Sequence, residues 1–483
     1  MNNDTRTTKP RTNRAGQRVG RRHSQLRRVG PALDWTLNPT HLIGEREAWR
    51  ASTLHAQAIY PAMASGGLGT QGVYLGRDLF GAAFCFDPWH LYAQGLIGNP
   101  NVLVLGSQSM GKSLLVKAYA LRQYVMGRRF EAVDVKDEYG PLLEAIGGSS
   151  LAVYRGGPTR LNPLRPGPDG EPAEELVAAV ATAGLSRPLD PAERVGLSAA
   201  VLLITARADG EPTLPDLVAL LLDPPAELQQ AMSSTGTDEP RRELRTLGLG
   251  LRSLCEGAMR GMFDGPTTAE VDWHAPGIRL DLSNVSDPTA TAVLMTCWMA
   301  FLRQQHQARN DEHARVGTTP RKTIRVNDEA WRVAAVPGVA ARFTEEFKLS
   351  RRWGVNNWLI LHKLRDAAAG ADDGTATAKL MDALLADIDT HVVYRQDDAI
   401  VAETTRRLGM SETQRELLTD LRALQALWQV GAQQFLVTQE ISSYERPIVD
   451  TDQAMRTTPT QTRTPTDPET GDQTDDPNQG RLL

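Results

Sequence analysis

Apolar residues along the 483-residue chain follow two rhythms. Short, nearly continuous apolar or β-branched runs stand at 102–105, 130–135, 277–282, 357–361 and 391–394, and a sixth, TIRVNDEAW at 323–331, ends in adjacent acids. Runs of that length with polar ends predict buried strands. Between them apolar residues recur at helical spacing, as in Leu114, Leu115, Ala118, Leu121 and Val125, and the stretch 289–303 predicts a further apolar helix. Strands alternating with helices predict an α/β fold: a mainly parallel sheet with helices on both faces, three layers in all. Three more helices are predicted at 172–183, 191–206 and 215–222, each starting near a proline as first helical turns often do. On the N-terminal side, GVYLGRDLFGAAFCFDPW at 72–89 reads as a hairpin.

Composition narrows the class. With 41% hydrophobic and 23% charged residues the chain can bury a sizeable core. Its three cysteines, Cys85, Cys255 and Cys297, are scattered and never form a CxxC pair. That excludes a disulfide scaffold and a cysteine zinc site, and predicts a reducing, cytoplasmic setting. No run approaches the ~18 apolar residues a spanning helix needs, and no apolar stretch follows the N-terminal charges as in a secretory leader.

Charge is unevenly spread. Residues 1–30 hold eight arginines and Lys9 against Asp4, a net +8 within a chain of net -5. Nearly free of large apolar residues, this stretch is expected to be a disordered basic tail, either an electrostatic arm for DNA or an anionic membrane surface, or a solvated end with no partner. The Thr-, Pro-, Asp- and Gln-rich end at 448–483 is expected to be a second disordered tail, and AAAGADDGTATA at 367–378 an exposed loop.

The candidate chemistry begins at 101, NVLVLGSQSMGKSLLVK. Gly106, Ser107, Gln108, Ser109, Met110, Gly111, Lys112 and Ser113 match the phosphate-binding pattern GxxxxGK[ST], between a strand and the helix that Leu114 continues. Glycines let the loop curl so that its amides face phosphates, and the helix N-terminus adds its positive dipole end. Lys112 would reach the β- and γ-phosphates, and the Ser113 hydroxyl would bind Mg²⁺. Asp328, at the end of the 323–331 strand, would hold the same ion, and Glu329 would polarise the attacking water. An adjacent Asp-Glu pair favours ATP hydrolysis over a GTPase-type switch.

Other polar residues sit where such sheets bind ligands, at strand C-terminal ends. His362 and Gln396 are candidates for sensing the γ-phosphate, or simply strand-end groups satisfied by a loop. Arg351, Arg352 and Arg395 are candidates for neutralising transition-state charge in a neighbouring subunit's site. The 216 residues separating Lys112 from Asp328 exceed what a minimal phosphate-loop fold needs, so 171–260 is read as an inserted helical subdomain. The resulting organisation is a basic tail at 1–30, a small β-containing segment at 31–100, an ATPase core at 101–170 and 261–447, the insertion at 171–260, and the tail at 448–483.

Taken together, NVLVLGSQSMGKS, DVKDEYGPL (134–142), GGPTRLNPL (156–164), FDGPT (263–267), LDLSNV (280–285), NDEAW (327–331), HKLRD (362–366) and ALWQVG (426–431) resemble, in that order, the ATPase half of the VirB-four-type ATPases of conjugation and type IV secretion, in the FtsK–HerA P-loop superfamily. The resemblance spans about 70–445. It implies a RecA-like core with an inserted all-helical domain, assembly into a ring with the hexamer as the expected size, and ATP hydrolysis with Mg²⁺ driving conjugative transfer. It also implies that His362 stands where the family often has a phosphate-sensing glutamine, and that Arg351 and Arg352 lie near its arginine–lysine motif. Three positions depart from the pattern: Asp137 where glycine is usual, Arg165 where aspartate is usual, and Asn327 in place of an apolar residue. Only about 100 residues precede the loop. A separate polypeptide is therefore expected to supply the membrane-docking half, as split versions in actinobacterial-type elements suggest, with the chain cytoplasmic or peripheral at the inner face of the plasma membrane.

Two rival readings follow from the same residues. One is a DNA-translocating ATPase of the coupling-protein or FtsK–HerA sort, which the basic tail favours and the lack of a spanning helix opposes. The other is a nucleotide-dependent scaffold without hydrolysis, opposed by the presence of Lys112, Ser113, Asp328 and Glu329 together.

Overall fold

The computed structural model describes residues 67–451 apart from 167–173, 209, 234–239, 258, 269–271, 273, 329–343, 345–346 and 365–384. Both expected tails lie outside these residues except for 448–451, and the 367–378 loop lies outside altogether. Among the described residues eleven strands form one sheet. In chain order they are β1 (Val73–Asp78), β2 (Ala83–Phe86), β3 (Val102–Leu105), β4 (Arg129–Asp134), β5 (Ser149–Ala152), β6 (Gly277–Asp281), β7 (Thr323–Asn327), β8 (Val355–Leu361), β9 (Thr390–Tyr394), β10 (Gln425–Val430) and β11 (Gln433–Gln439). Their spatial order is β2-β1-β11-β10-β9-β3-β8-β7-β4-β6-β5. The seven from β9 to β5 are parallel, and the four from β2 to β10 are antiparallel. The hairpin expected at 72–89 is β1–β2, and β11 joins it to the main sheet.

Every residue of β3, β4, β7, β8 and β9 is buried, as expected of central strands covered on both faces. Alternate residues of β3 serve different cores. Val102 and Val104 pack with Leu115, Val116 and Tyr119 of α2 (Lys112–Val125), a cluster that also takes in Leu142 and Ile146 of α3 (Gly140–Ile146). α1 (Pro88–Ala93) adds Trp89 and Leu91 to that cluster. Leu103 and Leu105 belong to the opposite core, with Ala292, Met295 and Trp298 of the long helix at Pro288–Val316. That helix runs well past the 289–303 expected from its apolar half. Its second half is polar, and the side chain it buries there, His306, faces Glu131 of β4 with Nε2 2.8 Å from Oε1.

Between β5 and β6 the chain forms α4 (Glu174–Leu185), α5 (Pro191–Arg207), α6 (Leu214–Leu222), α7 (Ala226–Ser233) and α8 (Pro240–Glu256), with no strand among the described residues. The long helix is then α9. α10 (Asp398–Arg407) and α11 (Glu412–Asp420) connect β9 to β10, and α12 (Arg446–Val449) follows β11. Among the described residues no helix is long and apolar enough to cross a membrane.

Candidate functional site

β3 ends at Leu105 and the glycine loop turns at once into α2. Gly111 is the α2 cap, with φ +109°, and a β-carbon there would lie 2.8 Å from Leu424 Cδ2, so both conformation and space call for glycine. Ser109 is also left-handed, at φ +60°. Two backbone bonds hold the loop: Ser107 N–H donates to the Arg395 carbonyl (2.9 Å), and Leu424 N–H donates to the Met110 carbonyl (2.9 Å). The curl is thus fixed by β9 on one side and by the residue before β10 on the other.

Lys112 is buried. Its ammonium donates to the Gly106 carbonyl (2.7 Å) and the Ser107 carbonyl (2.8 Å), and lies 3.2 Å from His362 Nδ1. Because an ammonium has no lone pair, that contact requires Nδ1 to be the imidazole's acceptor, with the proton on Nε2. His362 arrives from the end of β8, which pairs in register with β3. Asp328 follows β7, 7% exposed, and Tyr139, entirely buried, is its neighbour: burial first, and Asp328 next, push the Tyr139 phenol pKa well up.

The loop after β4 is built around Asp134. Its carboxylate accepts from the backbone N–H of Lys136 (3.2 Å), Glu138 (3.1 Å) and Tyr139 (2.9 Å), and from Arg279 NH1 (2.8 Å). This turn places Asp137 at φ +57°, where glycine is favoured and aspartate is among the residues that tolerate it. Arg279 rewards the exchange by pairing with Asp137 as well. The departure from the usual glycine therefore has a local explanation.

These pieces surround one cavity of about 410 Å³. Gln108, Ser109, Gly111, Lys112, Ser113 and Leu114 line it, together with Asp328 and His362. The remaining predicted residues fall elsewhere. Gln396 is 2% exposed and its backbone N–H donates to the Leu418 carbonyl, but among the described residues neither side-chain amide atom has a hydrogen-bond partner, and the residue does not line the cavity. Arg351 and Arg352 occupy a 3-10 turn at Ser350–Trp353, just before β8 starts. Arg351 donates to the Gly98 carbonyl (3.1 Å) and lies over the Tyr92 ring, at the opposite end of the strands from Lys112. Arg395 is exposed and meets the loop through its carbonyl alone among the described hydrogen bonds. Glu329 lies outside the described residues.

The sequence did not single out Lys117, which is 2% exposed on α2 and donates to Thr451 Oγ1 (2.6 Å), nor the cavity wall at Arg446, Val449, Asp450 and Thr451. No motif marks these positions, which the fold gathers from more than 300 residues apart. Among the described residues no group of three or more His, Cys, Asp or Glu could hold a metal ion. Ser113 and Asp328 do share the cavity, a hard-oxygen pair of the kind that suits a magnesium ion taking its other ligands from phosphate and water.

No protein-family model matches the sequence, and no curated protein matches it. Solved structures do match. The chain is similar to VirB4 of Thermoanaerobacter pseudethanolicus, with a TM-score of 0.63 and 21% identity over 79% of this chain and 99% of that one. The bacterial conjugative coupling protein TrwBdeltaN70 gives a TM-score of 0.48 and 16% identity, over 71% and 85% of the two chains. The plasmid coupling protein TrwB in complex with ADP and Mg²⁺ gives 0.47 and 16%, over 71% and 86%. The chain carries the fold of the VirB4 structure, a RecA-like P-loop NTPase fold with a mainly parallel sheet.

Proposed function

We propose that the chain is an ATP-hydrolysing motor of a conjugative type IV secretion apparatus, energising its assembly or the transfer of its substrate. The observation that carries this reading is the convergence of Lys112, Ser113, Asp328 and His362 on one cavity at the C-terminal ends of parallel strands, lined also by a glycine loop that opens a helix. ATP and Mg²⁺ fit that donor set. Bound there, Mg²⁺ would supply positive charge to the phosphate oxygens, with Ser113 and Asp328 holding it. The loop amides and the α2 N-terminus would bind the phosphates. Lys112 would exchange the Gly106 and Ser107 carbonyls for the β- and γ-phosphates, leaving His362 Nδ1 to a new donor. Glu329, next to Asp328, would orient water and take its proton.

Further parts of the reading are a ring of copies, hexameric by resemblance, and a separate membrane-docking polypeptide with the chain at the inner membrane face. The eight arginines of residues 1–30 support a second reading, a motor that grips DNA directly. DNA binding that falls steeply with salt would favour it. The decisive experiment compares ATP turnover by the purified chain with that of Lys112→Ala, alongside Glu329→Gln. A motor gives turnover lost in both variants, with ATP still bound by Glu329→Gln. ATP binding without turnover in the wild type would point to a scaffold, and no ATP binding at all would end the reading.

A further inference from the structure

The turn that carries Arg351 and Arg352 is fixed from inside. A 3-10 segment has about three residues per turn, so Ser350 and Trp353 share one edge and the two arginines lie off it. The first pair is buried and the second exposed. Ser350 Oγ donates to the Phe347 carbonyl (2.7 Å) and accepts from Asn357 Nδ2 (2.6 Å). Asn357, fully buried in β8, also donates to Asn101 Oδ1 through its backbone N–H (2.9 Å) and Nδ2 (3.1 Å). Asn101 stands one residue before β3, so its side-chain carbonyl serves as the acceptor just ahead of the Val102–Trp358 ladder pair. Burying amides costs free energy that an apolar side chain at these strand positions would not. What the asparagines add is a tie from the arginine turn to the starts of β3 and β8.

The Arg351 side chain is held separately. Its NH1 donates to the Gly98 carbonyl (3.1 Å), and its guanidinium lies over the Tyr92 ring, 5.8 Å from the centroid. The peptide that supplies the carbonyl is itself pinned: Asp389 Oδ2 accepts from the N–H of Gly98 (2.6 Å) and of Asn99 (3.0 Å). Neither partner of Arg351 is an anion, and most of its N–H donors stay free among the described residues. Arg352 makes no comparable contact among the described residues. A guanidinium kept in one place without a counter-ion is a donor set in advance for an anion. That anion is not in the copy's own cavity, because His362 follows the far end of β8. We propose that Arg351 is the arginine that meets the transferring phosphoryl group of a neighbouring copy, and that Asn357, Ser350 and Asp389 are its positioning residues. The proposal rests on reading the chain as an ATP-hydrolysing ring, and adds which arginine acts and what holds it.

The test measures kcat, ATP affinity and light scattering of the full chain carrying Arg351→Ala, Arg352→Ala, Ser350→Ala, Asp389→Ala or Asp389→Asn. Arg351→Ala should lower kcat about a thousandfold or more, the larger loss of the two arginines. Ser350→Ala and Asp389→Ala should each lower it about ten- to hundredfold, since a misplacement of about 1 Å is enough for that. ATP affinity and ring size should stay as in the wild type. Asp389→Asn keeps an acceptor oxygen for both amides and should restore most of kcat. Mixing separates positioning from damage. Asp389→Ala reassembled with an equal amount of Lys112→Ala should regain about a quarter of wild-type turnover, because copies with a well-placed Arg351 then serve loops that were never harmed. A damaged fold would harm the loop of Asp389→Ala as well, and no mixture would recover it. That result, or unchanged kcat in both Ser350→Ala and Asp389→Ala, overturns the positioning. Arg351→Ala that loses the ring, or that turns over faster than Arg352→Ala, overturns the choice of arginine, while a dead Lys112→Ala leaves the motor reading standing. Wild type without turnover overturns the motor reading itself.

Discussion

Glu131, buried in the middle of β4, faces three basic side chains. Arg325 of β7, its register partner, donates through Nε at 3.0 Å and brings NH2 to 2.9 Å, His306 Nε2 stands at 2.8 Å, and Arg309 NH2 at 4.0 Å. Burial alone would raise the Glu131 pKa, but these neighbours outweigh it and hold the carboxyl well below the usual range. Replacing Glu131 by glutamine removes the carboxylate and leaves the buried guanidinium of Arg325, with the half-buried Arg309 nearby, beside a neutral group. That should cost about 3–5 kcal/mol in denaturant unfolding, and a loss below about 1 kcal/mol would show that the cluster contributes little. Glu445 gives a pH signature. Burial again opposes ionisation, but hydrogen bonds from Arg122 and Ser442 bring its pKa to about 2. A folded-state value depressed below the ordinary ~4.3 stabilises the fold fully above that pH, and the contribution is lost as pH falls through 4 toward 2. The urea midpoint of the wild type should therefore drop across that window, and Glu445→Gln should be weaker at neutral pH with a shallower acid slope. Parallel curves for the two proteins would remove Glu445 from the account.

At the scale of elements, α9 shows what capping contributes. Asp287 accepts from Ala290 N–H at 2.6 Å and opens a helix of 29 residues, with Pro288 next in line. Asp287→Ala should lower stability by about 1 kcal/mol, read by thermal or denaturant unfolding, and an unchanged midpoint would mean that packing alone sets that end. Strands of the parallel core were legible because burial on both faces leaves unbroken apolar runs, as in VLVL of β3. Of the antiparallel flank only the β1–β2 hairpin was; β10 and β11 were not. β11 buries Phe435, Val437 and Gln439 while Gln433, Gln434 and Thr438 are exposed, and β10 begins and nearly ends on glutamines, so neither yields a continuous run. β5, SSLA, buries only Leu151 at the sheet's edge and reads as a turn. In the site, the loop and Asp328 could be read because a local pattern carries them. The sequence could place His362 and Gln396 only at strand ends; which of the two enters the cavity depends on how β8 and β9 flank β3. Thr451 meets Lys117 of α2 only after β11 has carried the chain back past that helix.

For the whole molecule, the placement of Arg351 and Arg352 makes a demand on assembly. β8 has seven residues, so at about 3.3 Å each its two ends are roughly 20 Å apart. Arg351 and Arg352 precede its first residue, His362 follows its last, and both arginines are exposed. Neither can serve the Lys112 beside His362 in its own copy. If they neutralise phosphoryl charge, they do so for a neighbour in a head-to-tail ring, where each site is completed by the next copy. Two dead variants should then rescue each other. Lys112→Ala lacks a working loop but offers its arginines, and Arg351→Ala/Arg352→Ala has the loop but no arginines to lend. Mixed in equal amounts and reassembled, about a quarter of interfaces would pair an intact loop with intact arginines, and turnover should return to about that share of the wild-type rate. Light scattering on the same mixtures shows whether rings have formed. Rings that stay inactive on mixing would deny the arginines a role in trans, and a double-arginine variant active by itself would show that catalysis does not need them.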